Sequence, residues 1–242
     1  MNKINYLFLC VIALITLAGS STSYGQQDNL SDALNINSIK LSDMESLGST
    51  EYGNVIKSGP YGNPYGTQKI AFIVGVHPLE ENSHRAITAS LLSLNKSLNS
   101  SYYIYSIHVS KDRDSYNNGR MNGQLLAKNF VVPDIQKNYF NLVIDVHSNR
   151  GGNFKNEIFV FVPQNEPESI KDANNIIAQI PWLVYYVPPS EEGPKSPAYV
   201  TIPLIESGNP ALIYETYRYE PFDVTVKRAV DFIKGVDKLK LS

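Results

Sequence analysis

Cysteine is nearly missing from this chain. Of 242 residues only Cys10 carries a thiol, and it sits in an apolar N-terminal run, so no disulfide framework can staple the fold. Basic excess is missing as well. Twenty-one Lys and Arg stand against 23 Asp and Glu, for a formal charge of −2, which leaves no electrostatic case for nucleic acid. The chain is not short of apolar residues (43 %), and Gly (15) and Pro (14) are ordinary, which excludes disordered and collagen-like classes. No apolar run reaches the ~20 residues of a membrane span. Neither a G-x-S-x-G elbow nor an H-E-x-x-H helix occurs, so a serine hydrolase of the elbow type and a zinc endopeptidase of that helical type have no support.

What the N-terminus does contain is an export pattern. Lys3 supplies a positive start, Tyr6 to Ala18 (YLFLCVIALITLA) an apolar stretch, and Ser23 and Gly25 the small residues of a cleavage site. Residues 1–25 therefore read as a signal peptide, cleaved after Gly25. The expected location is secreted or cell-surface, with no membrane contact apart from that signal.

Residues 26–66 are poor in apolar periodicity and end in the turn-prone GPYGNPYG, so they read as a poorly structured N-terminal arm. From Lys69 onward apolar, β-branched runs alternate with amphipathic ones. Strands are predicted over 69–76, 102–109, 142–146, 157–162, 183–187, 199–205 and 211–215. Helices are predicted from an N-cap at Ser83 to about 98, and near 121–128, 168–180 and 222–239. This alternation predicts a single α/β domain over 67–242, with three layers: a mixed, largely parallel central sheet flanked by helices.

Only four histidines are present. His77 follows the strand KIAFIVGV in Gly75-Val76-His77-Pro78-Leu79-Glu80, and His147 closes the apolar strand LVIDVH. Open α/β sheets gather ligands at strand carboxyl ends, which puts both imidazoles on one rim with Glu80 three residues past the first. Two His and a carboxylate leave one position open, the donor set of a catalytic zinc. Glu215 ends another apolar strand, ALIYET, where a carboxylate can take a proton from water and hand it to a leaving amine. Arg120, in the turn-rich YNNGR, can clamp a carboxylate or an oxyanion. Arg113 and Arg150 read as solvent-facing. His84 reads as capping or decorating its helix, and His108 as packed or partly exposed.

His77-x-x-Glu80, Asp145-Val146-His147-Ser148 and Ile213-Tyr214-Glu215-Thr216 together resemble the zinc carboxypeptidase family. The compact spacing and Asp145 look closer to its succinylglutamate desuccinylase and aspartoacylase branch. The resemblance implies that His77, Glu80 and His147 bind one zinc ion per chain, and that Glu215 is the general base and acid. It also implies that Arg120 is catalytic and binds substrate, with Asn118 beside it in a binding role. The family's lid tyrosine has no clear counterpart: Tyr199 and Tyr217 are candidates that read first as packed aromatics, and Asp145 reads either as orienting a ligand or as held within the sheet by a structural hydrogen bond. The implied activity is metallocarboxypeptidase-like hydrolysis of peptides, with those of a cell wall among the candidates. An N-acyl amino acid deacylase or cell-wall amidase with the same zinc site, and a non-catalytic surface binding protein keeping the fold, are the alternatives.

Overall fold

The computed structural model describes residues 43–152, 155–189 and 195–241; the expected export signal and the start of the expected arm lie outside the described residues. Eight strands form one sheet in the order β1-β2-β4-β3-β5-β8-β6-β7. They are β1 (Met44–Thr50), β2 (Gly53–Gly62), β3 (Lys69–Val74), β4 (Ser101–Val109), β5 (Leu142–Asn149), β6 (Phe159–Phe161), β7 (Val184–Tyr185) and β8 (Ala211–Tyr217). The centre, β4-β3-β5-β8, is parallel. β1, β2 and the β6–β8 pairing are antiparallel, so the sheet is mixed as the alternation predicted.

Among the described residues six α-helices flank it: α1 (Glu81–Leu94), α2 (Tyr116–Leu126), α3 (Val132–Asn138), α4 (Pro167–Gln179), α5 (Thr201–Glu206) and α6 (Phe222–Asp237). The pleat sorts side chains onto two faces. Phe72 of β3 and Tyr214 of β8 both meet Phe232 of α6, the latter pair stacked at 4.0 Å. Tyr105 of β4 points the other way and donates to Asp134 of α3 at 2.7 Å. Ile73 pairs in register with Tyr105 and with Asp145, and His147 with Glu215. Asp145, His147 and Glu215 therefore project from the sheet face that α2 and α3 cover. Among the described residues no helix is long and apolar enough to cross a membrane.

Four expectations about elements need correction. Residues 43–62 are not an arm: β1 and β2 pair with each other, and β2 with β4, burying Val55, Ile56 and Tyr61. Polar residues, Gly59 and Pro60 interrupt the alternation there, and a register shift between Ser58 and Tyr61 breaks its period. Residues 199–205 are not a strand but a 3₁₀ turn (Ser196–Ala198) followed by α5. Pro203 is tolerated because it falls in the first turn, where no backbone N–H has a helical partner. Ser83 is not an N-cap: the helix begins at Glu81, and the buried Ser83 hydroxyl donates to Glu80 O at 2.8 Å. The helix expected at 121 starts at Tyr116, where Ser115 Oγ accepts from Asn118 N–H. It continues through a π-turn, Ala127–Val131, into α3. Arg120 consequently rides on a helix rather than a loop.

The chain leaves β3 through Gly75, whose φ of 91° is open to glycine at little cost. A Cβ there would lie 2.1 Å from Ile107 O, so the close approach of β4 also demands glycine. That turn delivers His77 to the sheet's carboxyl edge.

Candidate metal centre and active site

His77 and Glu80 are held in one tight turn by a hydrogen bond from Glu80 N–H to His77 O of 3.0 Å. His147 reaches the same point from the strand next to β3. His77 Nδ1 lies 2.9 Å from Glu80 Oε1, and His147 Nδ1 lies 2.9 Å from Glu80 Oε2. Ser148 N–H donates to Oε2 at 3.0 Å and Arg120 Nη1 to Oε1 at 2.9 Å. All three side chains are buried, and one donor atom from each falls within 4.8 Å of the others.

The far side of each imidazole is also engaged, and this decides which nitrogen faces the centre. His147 Nε2 is 3.0 Å from Asp145 Oδ2 and 2.9 Å from Ser196 Oγ, and Ser196 Oγ donates to the same carboxylate at 3.2 Å. His77 Nε2 meets the amide of Gln124, at 3.1 Å from its nitrogen. Gln124 is fully buried, and its Oε1 has no hydrogen-bond partner among the described residues. Turning the amide end for end gives an Nε2–H donor its acceptor and frees Nδ1 as a ligand. Two Nδ1 atoms and a carboxylate converging on one point fit a divalent ion such as zinc. Asp145→Asn removes the charge that fixes His147, and a roughly 10- to 100-fold loss of zinc affinity is expected in a chelator competition.

In the metal-free protein burial pushes His77 down to about 4. Burial also works against charge on His147, but Asp145 and Glu80 outweigh it and hold that imidazole well above its ordinary value. Burial opposes ionisation of Glu80 too, yet His77 and His147 keep it well below the usual carboxylate range. Glu215, half-buried in the wall, is pushed up to about 8 chiefly by burial, with His147 opposing. Its cleft face is open, but protein on the other sides still displaces enough water to disfavour the carboxylate.

A cleft with about 500 Å³ of space, part of it open solvent, reaches His77 and Glu80. Glu215 and Arg120, two of the candidate residues, line it. Asn118 does not: it is exposed on the first turn of α2, and the cleft amide is Asn149, whose Nδ2 is 3.4 Å from Glu215 Oε2. Arg150, expected to face water alone, lines the cleft at its mouth, as does Arg218. Arg113 stays outside, paired with Glu81. Tyr199 packs against the core and Tyr217 lies edge-on to Tyr219; neither lines the cleft, whose tyrosine is Tyr116. His84 is buried rather than decorative, with Nε2 unpartnered among the described residues. Sequence reasoning missed Tyr116, Gln124, Ser148, Asn149 and Arg218. The one local signal was Ser148-Asn149-Arg150, directly following a candidate ligand.

No protein-family profile matches the sequence, and no curated protein matches it either. Solved structures do match. Over 89 % of this chain and 68 % of the other, it is similar to a metallo-carboxypeptidase from Pseudomonas aeruginosa in complex with (2-guanidinoethylmercapto)succinic acid, at 13 % identity and a TM-score of 0.53. A metallo-carboxypeptidase from Burkholderia cenocepacia gives 0.54 at 12 % identity over the same shares. The product-bound cell shape determinant protein Csd4 from Helicobacter pylori gives 0.52 at 15 % identity over 75 % of this chain, which spans 53 % of that protein. The chain thus has the metallocarboxypeptidase fold, the architecture its motif spacing resembles.

Proposed function

We propose that this chain is an exported zinc hydrolase that cleaves an amide bond in peptides, in the manner of a metallocarboxypeptidase. The observation that supports it most is the convergence of His77 Nδ1, Glu80 and His147 Nδ1 on one buried point, with Glu215 opposite His147 in the adjoining strand. His77, Glu80 and His147 would hold a zinc ion, which would supply Lewis acidity and lower the pKa of a bound water. Glu215 accepts the proton of the attacking water and returns it to the departing amide nitrogen. Arg120 steadies the negative charge that develops on the carbonyl oxygen, or a substrate carboxylate. An exported peptidase of this kind suits cell-wall peptides.

A second reading, an N-acyl amino acid deacylase, draws support from the arginines of the cleft, which suit a free carboxylate beside the scissile amide. One experiment tests both. The purified chain is dialysed against zinc, its metal content measured, and short peptides and N-acyl amino acids are offered with amine release followed. About one zinc per chain with amide hydrolysis is expected. A folded chain that retains no divalent metal would overturn the hydrolase.

A further inference from the structure

Two side chains one turn apart on α2 reach onto the turn that carries His77 and Glu80. Arg120 Nη1 donates to Glu80 Oε1 at 2.9 Å, and Gln124 Nε2 lies 3.1 Å from His77 Nε2. Their i, i+4 spacing puts both on one face of the helix. Gly123 lets the helix come this close: a Cβ there would lie 2.0 Å from Val76 O, the carbonyl just before His77. Arg113, in the loop entering α2, adds an ion pair to Glu81. The proposed chemistry employs Arg120 and leaves Gln124 without a part.

The two imidazoles of the site are held differently. His147 Nε2 faces Asp145 Oδ2 at 3.0 Å, and an ionised carboxylate can only accept. His77 Nε2 faces an amide, which offers an acceptor on one side and donors on the other. Glu80 Oε1, again only an acceptor, lies 2.9 Å from His77 Nδ1. In the metal-free protein the neutral imidazole therefore keeps its proton on Nδ1 for Glu80, and Nε2 accepts from the Gln124 amide N–H. As a metal ligand Nδ1 carries no proton, so Nε2 carries it and needs an acceptor. Gln124 is fully buried, which keeps bulk water from supplying one. Its Oε1 has no hydrogen-bond partner among the described residues, so no bond to that atom has to break for the amide to turn.

We infer that Gln124 is the positioning residue of His77 and a two-way partner for it. Its amide donates to Nε2 in the metal-free chain and, turned end for end, accepts from Nε2–H once Nδ1 is a ligand. The imidazole stays neutral throughout, one proton leaving Nδ1 as Nε2 takes one up. An ionised carboxylate in its place could partner the neutral imidazole in the second state only. The inference deepens the zinc site of the proposed hydrolase and rests on it.

The test reads proton position and metal affinity, without turnover. Histidine is labelled with nitrogen-15 and long-range proton–nitrogen spectra are recorded at about pH 7.5, above the ordinary imidazole range. Wild type should show the His77 proton on Nδ1 when metal-free and on Nε2 after zinc is added. Gln124→Met, which fills similar space but has no donor and only a weak acceptor, should bind zinc about 10- to 100-fold more weakly in a chelator competition. Gln124→Glu restores the acceptor and should bind zinc at least about fivefold tighter than Gln124→Met. A His77 proton on the same nitrogen with and without zinc overturns the two-way role. So does a Gln124→Met chain that binds zinc as tightly as wild type, and both results leave the hydrolase standing. Should a substituted chain fail to fold, the wild-type spectra decide alone. A folded wild type that retains no zinc removes the hydrolase and the role of Gln124 together. Zinc bound with the proton moved, but no peptide or N-acyl amino acid hydrolysed, supports Gln124 and counts against the hydrolase.

Discussion

Glu215→Gln is expected to lower kcat by about 10³-fold on any amide the chain hydrolyses, with zinc still bound at wild-type content. Glutamine fills the same space and keeps a polar contact with Asn149, whose Nδ2 is 3.4 Å from Glu215 Oε2. It cannot take a proton from water or deliver one to nitrogen. Steady-state kinetics with metal analysis on the same sample checks this, and undiminished turnover would remove Glu215 from the chemistry. A stability effect follows from the same carboxyl. In the metal-free protein its value is raised from 4.5 to about 8, so the fold favours the neutral form. That contribution is full below about pH 4.5 and lost as the pH rises through about 8. Metal-free Glu215→Gln should therefore gain Tm relative to wild type as the pH goes from 5 to 8. A pH-independent difference would contradict the burial argument.

His147→Ala should weaken zinc binding on the order of 10³-fold, because it deletes one of three donors and leaves the others no second imidazole. It should also destabilise the metal-free fold by about 3 kcal/mol. The reason is that Asp145 and Glu80 are buried and both lean on His147, at 3.0 and 2.9 Å. His77→Ala should lose zinc as well with a smaller cost to the metal-free fold, since burial already keeps that imidazole neutral. In wild type, saturating zinc at about a thousand times Kd should add about 4 kcal/mol of stability, an increment that both variants lack. Zinc affinity should rise with pH, because the proton held on His147 between Asp145 and Glu80 must leave before Nδ1 can bind metal. Thermal melts with and without zinc and a chelator competition report all of this. A His147→Ala chain that keeps stoichiometric zinc would relocate the site.

The His77, Glu80 and His147 cluster that could hold a metal, and Glu215 beside it, were legible in the chain because each is written locally. His77 and Glu80 share one turn, and His147 and Glu215 sit in apolar runs whose ends mark the sheet's rim. The alternation of such runs likewise carried the central parallel strands and the helices packed on them, since burial on both faces leaves a continuous apolar signature.

What the sequence did not disclose depends on partners distant along the chain. β1 and β2 are strands only because β4 offers an edge; their own pattern, broken by Gly59 and Pro60, reads as an arm. Residues 201–206 carry strand-forming Thr and Ile, but they pack as a helix, with Thr201 Oγ1 3.4 Å from Asp145. Gln124 meets His77 across 47 residues, a pairing no local pattern encodes. Arg150 and Arg218 share a cleft because β5 and β8 are neighbours, and Asn149 replaces Asn118 as the cleft amide because α2 turns Asn118 outward. By itself the sequence determined which residues can hold a metal and move a proton, since these follow from side-chain chemistry and periodicity. Only the tertiary structure decided which charges surround them, because strand order and helix rotation are set by packing of the whole core.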